Sequence, residues 1–221
     1  LVKTGDIISK TNVSATGQGQ VLNNGGTAVT RNGLVWAEHE EPTISDFVSS
    51  PPGSGVGTFT ANLTNLYGNT TYYVRAFAIN SAGVAYGPER VSFKTDPPVA
   101  PTIETRRPES TALTTAVAGG TIVNHGGGRV TSRGIVWGST AGFDYRNPDG
   151  KFEQTGYGEG AFSVEMTGLI PGRKYYVRAF ADNGSFKGYG PEIEFTQADY
   201  PALTTRPASA KTNKTITTGG V

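Results

Sequence analysis

The side chains from which chemistry can be built are few in this chain of 221 residues: two histidines, two tryptophans, no cysteine and a scatter of loop carboxylates. Triad-type catalysis needs a His held between a nucleophile and an orienting carboxylate. Neither His39 nor His125 stands in a context that suggests one. The absence of cysteine removes a disulfide framework, thiolate metal sites and a Cys nucleophile. Two acidic groups offer oxygen ligands, Glu38, Glu40, Glu41 and Asp46 in one loop and Asp144, Asp149 and Glu153 in another. Neither has the alternating Asp spacing of a Ca²⁺ loop, so they read as solvated loop charge. The glycines at Gly53–Gly57 and Gly156–Gly160 lead into strand-like segments and lack the lysine of a phosphate-binding loop. No catalytic residue, metal site or cofactor is expected.

Aromatic residues remain. Trp36 and Trp137 can be sugar-stacking platforms or core residues, and the apolar neighbours Leu34 and Ile135 on the same face favour the core. Tyr73-x-Arg75-x-Phe77 and Tyr176-x-Arg178-x-Phe180 each place an Arg between two rings at alternate positions. Such a strip supports cation–π contact. It is either a contact surface for a glycan or protein, or a ladder that covers its own sheet and faces away from the core. A third candidate is the cluster Phe143, Tyr145 and Arg146.

These strips recur because the whole frame recurs. "YYVRAF" stands at Tyr72–Phe77 and again at Tyr175–Phe180. "YGPE" follows each copy, at Tyr86–Glu89 and Tyr189–Glu192. Upstream, "GLVW" ending at Trp36 parallels "GIVW" ending at Trp137, and the turn Asn24-Gly25-Gly26 parallels His125-Gly126-Gly127. The offset stays between 101 and 103 residues throughout. A unit of that length is therefore repeated, and Thr4, Thr105 and Thr205 share a phase. The expected organisation is one repeat over 1–96, a linker over 97–101, a second repeat over 102–198, and the start of an incomplete third over 199–221. Proline in both connections makes them stiff, and the chain is expected to continue into a third unit.

Within a unit only strands are readable. Thr71–Asn80 alternates with a period of two, placing Tyr72, Val74, Ala76 and Ala78 on one face. Thr58–Leu63, Val84–Tyr86 and Val91–Lys94 read alike, and Gly- or Pro-rich breaks separate them. About seven short strands per hundred residues is the pattern of an all-β sandwich. A net charge of +1 without a basic cluster gives no basis for nucleic-acid binding. No apolar run reaches the roughly 18–20 residues of a membrane-spanning helix. No leader pattern opens the sequence, so a secreted protein would be represented here by a mature or internal segment.

Leu66 with Tyr72, Val74, Ala76, Ala78 and Asn80 resembles the fibronectin type III signature, and Leu169, Pro171, Tyr175, Val177, Ala179, Ala181 and Asn183 resemble it more closely. Gly68 departs from it in the first unit. The resemblance implies tandem fibronectin type III-like, immunoglobulin-like β-sandwiches joined by short Pro-containing linkers. It also implies that Tyr72 and Tyr175 form corners whose hydroxyls bond the backbone just upstream. "RGIVW", the Gly-x-Gly-x-Phe strand and "YYVRAF" with "YGPE" resemble more narrowly the repeats of Bacteroidetes-type secreted and cell-surface proteins. That implies a non-enzymatic, extracellular structural or adhesive stalk. Its partners would be further repeats of the chain, neighbouring copies, a glycan or a surface protein. The alternatives are a spacer module of a secreted carbohydrate-active enzyme and a phage fibre or decoration protein. A ligand is expected at the loops that differ between units, 37–54 and 138–155, or at the Tyr-Arg-Phe strips.

Overall fold

The computed structural model describes residues 1–50, 53–155, 158–211 and 216–220, with side chains through residue 204 except residue 155. Every described element is a β-strand. The first eight are β1 (Val2–Lys10), β2 (Ala15–Val21), β3 (Arg31–Ala37), β4 (Phe47–Val48), β5 (Gly57–Leu63), β6 (Thr71–Asn80), β7 (Gly83–Tyr86) and β8 (Val91–Lys94). They form a three-stranded sheet, β1-β2-β5, and a five-stranded sheet, β4-β3-β6-β7, in which β8 also pairs with β6. All pairings are antiparallel.

The same plan returns in β9 (Thr102–Ala112), β10 (Thr115–Asn124), β11 (Ser132–Gly138), β12 (Gly150–Thr155), β13 (Gly160–Met166), β14 (Lys174–Asp182), β15 (Lys187–Tyr189) and β16 (Ile193–Thr196). The sheets are β13-β10-β9 and β12-β11-β14-β15, with β16 on β14. β17 (Thr205–Lys211) and β18 (Ile216–Gly220) form a further antiparallel pair. Two facing antiparallel sheets with this strand order are the immunoglobulin-like architecture that fibronectin type III domains share.

Each pair of sheets closes on its own apolar cluster. One gathers Val2, Leu34, Trp36, Leu63, Leu66, Tyr72 and Val74, the other Ile103, Ile135, Trp137, Met166, Leu169, Tyr175 and Val177. Both tryptophans are buried, at 3% and 7% exposure. Their covers differ. Phe47, opposite Trp36 in the ladder, stacks on it with ring centroids 5.9 Å apart. Opposite Trp137 stands Gly150, where any Cβ would lie 2.2 Å from the indole.

Two recurring hydrogen bonds explain recurring residues. The Tyr72 hydroxyl accepts the Tyr67 N–H at 2.9 Å, and the Tyr175 hydroxyl accepts the Ile170 N–H at 2.9 Å. The final edge strand is broken in each unit at "YGPE", so β7 pairs with one half of β6 and β8 with the other. The Ala76 N–H, facing the break, is satisfied from the opposite sheet by the Thr4 hydroxyl at 3.1 Å. Thr105 does the same for Ala179 at 3.1 Å. Both threonines are buried, and this shared task is why they keep phase.

Candidate functional site

The outer face of the second unit's larger sheet gathers aromatic and cationic side chains. β14 presents Tyr176, Arg178 and Phe180 on this face, β15 brings Lys187 and Tyr189, and β12 brings Lys151. The connection between β11 and β12 folds back so that the Tyr145 ring packs on Tyr189 at 4.2 Å between centroids. The Arg178 guanidinium sits 5.5 Å from each of those two rings, and its Nε donates to the Gly190 carbonyl at 2.9 Å. Arg146 reaches over Tyr145 at 5.6 Å. Lys187 and Lys151 lie 4.9 and 5.4 Å from the Phe180 centroid.

The result is a cavity of about 430 Å³ with Val136 and Phe180 at its floor, Tyr145, Pro148 and Tyr189 as walls, and Arg146, Lys151 and Lys187 at the rim. Its charge is unbalanced. Lys151 pairs with Glu153, and Lys187 lies 3.8 Å from Asp182. Among the described residues neither Arg146 nor Arg178 pairs with a carboxylate. Lys151 and the Ser132 hydroxyl hold the Glu153 carboxyl below its ordinary pKa. Burial raises the Tyr189 phenol, with Tyr145 adding to the effect, so Tyr189 stays a neutral donor at physiological pH.

Of the two alternatives for the strips, a contact surface or a self-covering ladder, the structure shows cover over both phenylalanines. Phe77 and Phe180 do face away from the sandwich cores, but both are fully buried. Arg31 stacks over Phe77 at 5.5 Å, and Gly33 leaves room for its ring. Phe180 is roofed by the two lysines and Tyr189. Tyr73, Arg75, Tyr176 and Arg178 are half-buried. The loop and the strip, treated in the sequence as separate places, are one site in the second unit, because Tyr145 lands on Arg178 and Tyr189. Phe143 is not in it; its ring packs against Gly138. Lys151, Lys187 and Tyr189 were missed. For Lys187 a signal was present: it replaces Val84 of the otherwise parallel strand of the first unit.

The first unit closes the corresponding ground with acid. Glu41 accepts from Arg75 at 2.8 Å and also pairs with Arg90, while Glu40 lies 3.3 Å from Arg90. Arg75 stacks over Tyr86 at 4.9 Å. His39 meets Asp46 at 3.0 Å, and Asp46 accepts the Thr43 N–H at 2.8 Å. That N–H, and after it His39, lowers the Asp46 pKa. Among the described residues no three His, Cys, Asp or Glu side chains come together as a metal site.

His125 is spent on the seam between the units. It is 5% exposed, and its ring meets Tyr67 edge-on at 5.7 Å. Its Nδ1 accepts the Gly127 N–H at 3.1 Å, which leaves Nε2 facing Glu159 at 3.7 Å. Around it the Gly68 N–H donates to the Gly127 carbonyl at 2.6 Å, the Val99 N–H to the Gly126 carbonyl at 2.7 Å, and the Asn12 amide to the same carbonyl at 2.9 Å. Arg129 covers Tyr67 at 5.4 Å. Glycine is required here: Gly126 has φ +69°, and a Cβ on it would lie 2.2 Å from the Val99 carbonyl oxygen.

No family model matches the chain. No curated protein sequence matches it either. Among solved structures the chain is similar to the crystal structure of chicken CNTN1 FN1-FN3 domains, with a TM-score of 0.37 and 14% identity over 89% of this chain and 67% of that one.

Proposed function

We propose that this chain is a non-enzymatic, extracellular repeat region that serves as a semi-rigid stalk segment of a larger bacterial surface protein. One observation carries the reading. The two sandwiches are joined by a seam in which the Gly68 N–H bonds the Gly127 carbonyl directly and the Gly126 carbonyl takes the Asn12 amide and the Val99 N–H of the connection. Stiff proline in the connection adds to this. Such a junction suits a part whose task is to hold an orientation, and it uses His125 structurally. The experiment is small-angle scattering on the whole chain. Strands of about nine residues at ~3.3 Å each give units of ~30 Å, so two units in a fixed line give a rod of roughly 60 Å plus the third strand pair. A compact profile, or one needing a broad ensemble of inter-unit angles, would overturn the stalk. A hydrolytic activity lost on His39→Ala would overturn its non-enzymatic character.

A further inference from the structure

We propose that the outer face of the second unit's larger sheet binds an acidic saccharide, a sugar residue carrying a carboxylate. The cavity of about 430 Å³ lies within the usual range for small-ligand sites of about 300–1,000 Å³. Its composition is divided in the way such a ligand requires. The half-exposed Tyr145 and Tyr189 rings give an apolar wall for the C–H face of a pyranose, above a base closed by the buried Val136 and Phe180. The Tyr189 hydroxyl supplies a neutral polar group. At the rim Arg146 has no carboxylate partner among the described residues, beside Lys151 and Lys187, which also face Glu153 and Asp182; a ligand carboxylate makes charge-assisted hydrogen bonds there. Arg178 acts as a positioning residue: set against both tyrosine rings and tied to the Gly190 carbonyl, it holds the wall in place.

Other anions fit less well. A peptide recognised by strand addition needs an open sheet edge, whereas this cavity lies over β14, which is flanked by β11 on one side and by β15 and β16 on the other. Nucleic acid needs an extended basic surface, and the chain's net charge is +1. The first unit is an internal comparison. It keeps the strip, but Val84 stands in place of Lys187, and Arg75 is already neutralised by Glu41 at 2.8 Å. The site therefore belongs to the second unit alone. It is independent of the stalk reading, so either can fail without the other.

The test is titration of the whole chain with tri-galacturonate, followed by ¹H–¹⁵N spectra and calorimetry. The expected result is saturable binding with shifts confined to residues around 136, 145–151, 178–180 and 187–189. Arg146→Gln and Lys187→Gln should each weaken binding about tenfold by removing one charge-assisted contact. Their spectra should otherwise match the parent, because both side chains reach solvent. Uncharged galactotriose should bind at least tenfold more weakly. No saturable binding of tri-galacturonate overturns the proposal, as does binding unchanged in both variants. Equal affinity for a hexaglutamate peptide would mark the face as a general anion surface and overturn it too.

Discussion

The seam can be tested by a pair of substitutions that differ only in whether the turn is docked. Gly25 and Gly126 occupy the same place in the two repeats and have nearly the same backbone, φ +68° and +69°. Asn80 braces the first turn by donating to the Asn24 carbonyl at 2.8 Å, as Asn183 braces the second through the His125 carbonyl at 2.8 Å. An alanine at either position pays the left-handed penalty, about 1–2 kcal/mol. Their surroundings differ. A Cβ on Gly25 meets only the Asn80 amide nitrogen at 3.5 Å, an ordinary contact, whereas one on Gly126 would lie 2.2 Å from the Val99 carbonyl oxygen and 2.9 Å from the Ala100 carbonyl. No relaxation of a flexible side chain relieves a clash with backbone, so the seam must open. Three hydrogen bonds then go, each worth about 0.5–1.5 kcal/mol net. Gly25→Ala should therefore cost about 1–2 kcal/mol and Gly126→Ala roughly 3–6 kcal/mol once the seam bonds are added. Urea unfolding reads the difference. A spin-label distance reads its cause, because the chain has no cysteine and labels at Thr58→Cys and Glu165→Cys, both exposed, report on one unit each. The distribution should be narrow in the parent and in Gly25→Ala, and broad in Gly126→Ala. Equal costs with an unchanged distribution would show that the seam orders nothing.

Trp36→Ala and Trp137→Ala should each destabilise their unit by about 3–5 kcal/mol, and native emission should be blue-shifted and resistant to quenching, as burial of both indoles requires. Thr105→Val keeps the shape of a buried side chain but strands the Ala179 N–H, so chemical unfolding should show a loss of about 1–3 kcal/mol, whereas Thr→Val at an exposed strand position such as Thr58 should be nearly silent. The Asp46 carboxyl has a folded pKa below its ordinary value, so its contribution to the 39–46 loop is present above the unfolded value near about 3.9 and is lost as the pH falls through the lowered one. The Thr43 amide resonance should move in that acid window, and Asp46→Asn should remove the step.

Much of the frame was legible because it depends on local rules. β6 alternates along its length, and its boundaries at Thr71 and Asn80 match the alternating stretch. The family resemblance implied corners at Tyr72 and Tyr175, and each hydroxyl reaches the backbone just upstream. The break between Val84–Tyr86 and Val91–Lys94 was read from its Gly and Pro, but its cause was not. A Cβ on Gly87 would lie 2.6 Å from the Thr4 hydroxyl and one on Gly190 2.5 Å from the Thr105 hydroxyl, so the chain leaves the ladder there to let the opposite sheet approach. A long-range contact of that kind has no local pattern.

The site was legible only in part, and for a physical reason. Period-two reading assigns a side chain to a face but not its cover. Phe77 and Phe180 sit on the outer faces as read, yet both are buried, because long cationic side chains lie across them with their stems on the ring and their charge in water. Cover comes from segments that do not repeat, and it is there that the units part. In the first, Glu41 reaches Arg75 and seals the strip. In the second, Tyr145 takes the position over the corresponding Arg178 without bringing a carboxylate to it, and Lys187 adds a charge where the first unit has Val84. Aligned differences between two copies of one frame therefore carry the proposed site, and the identical hexapeptide does not. The hexapeptide is held by packing in both units, and only the residues laid over it decide whether the face is closed or open to a ligand.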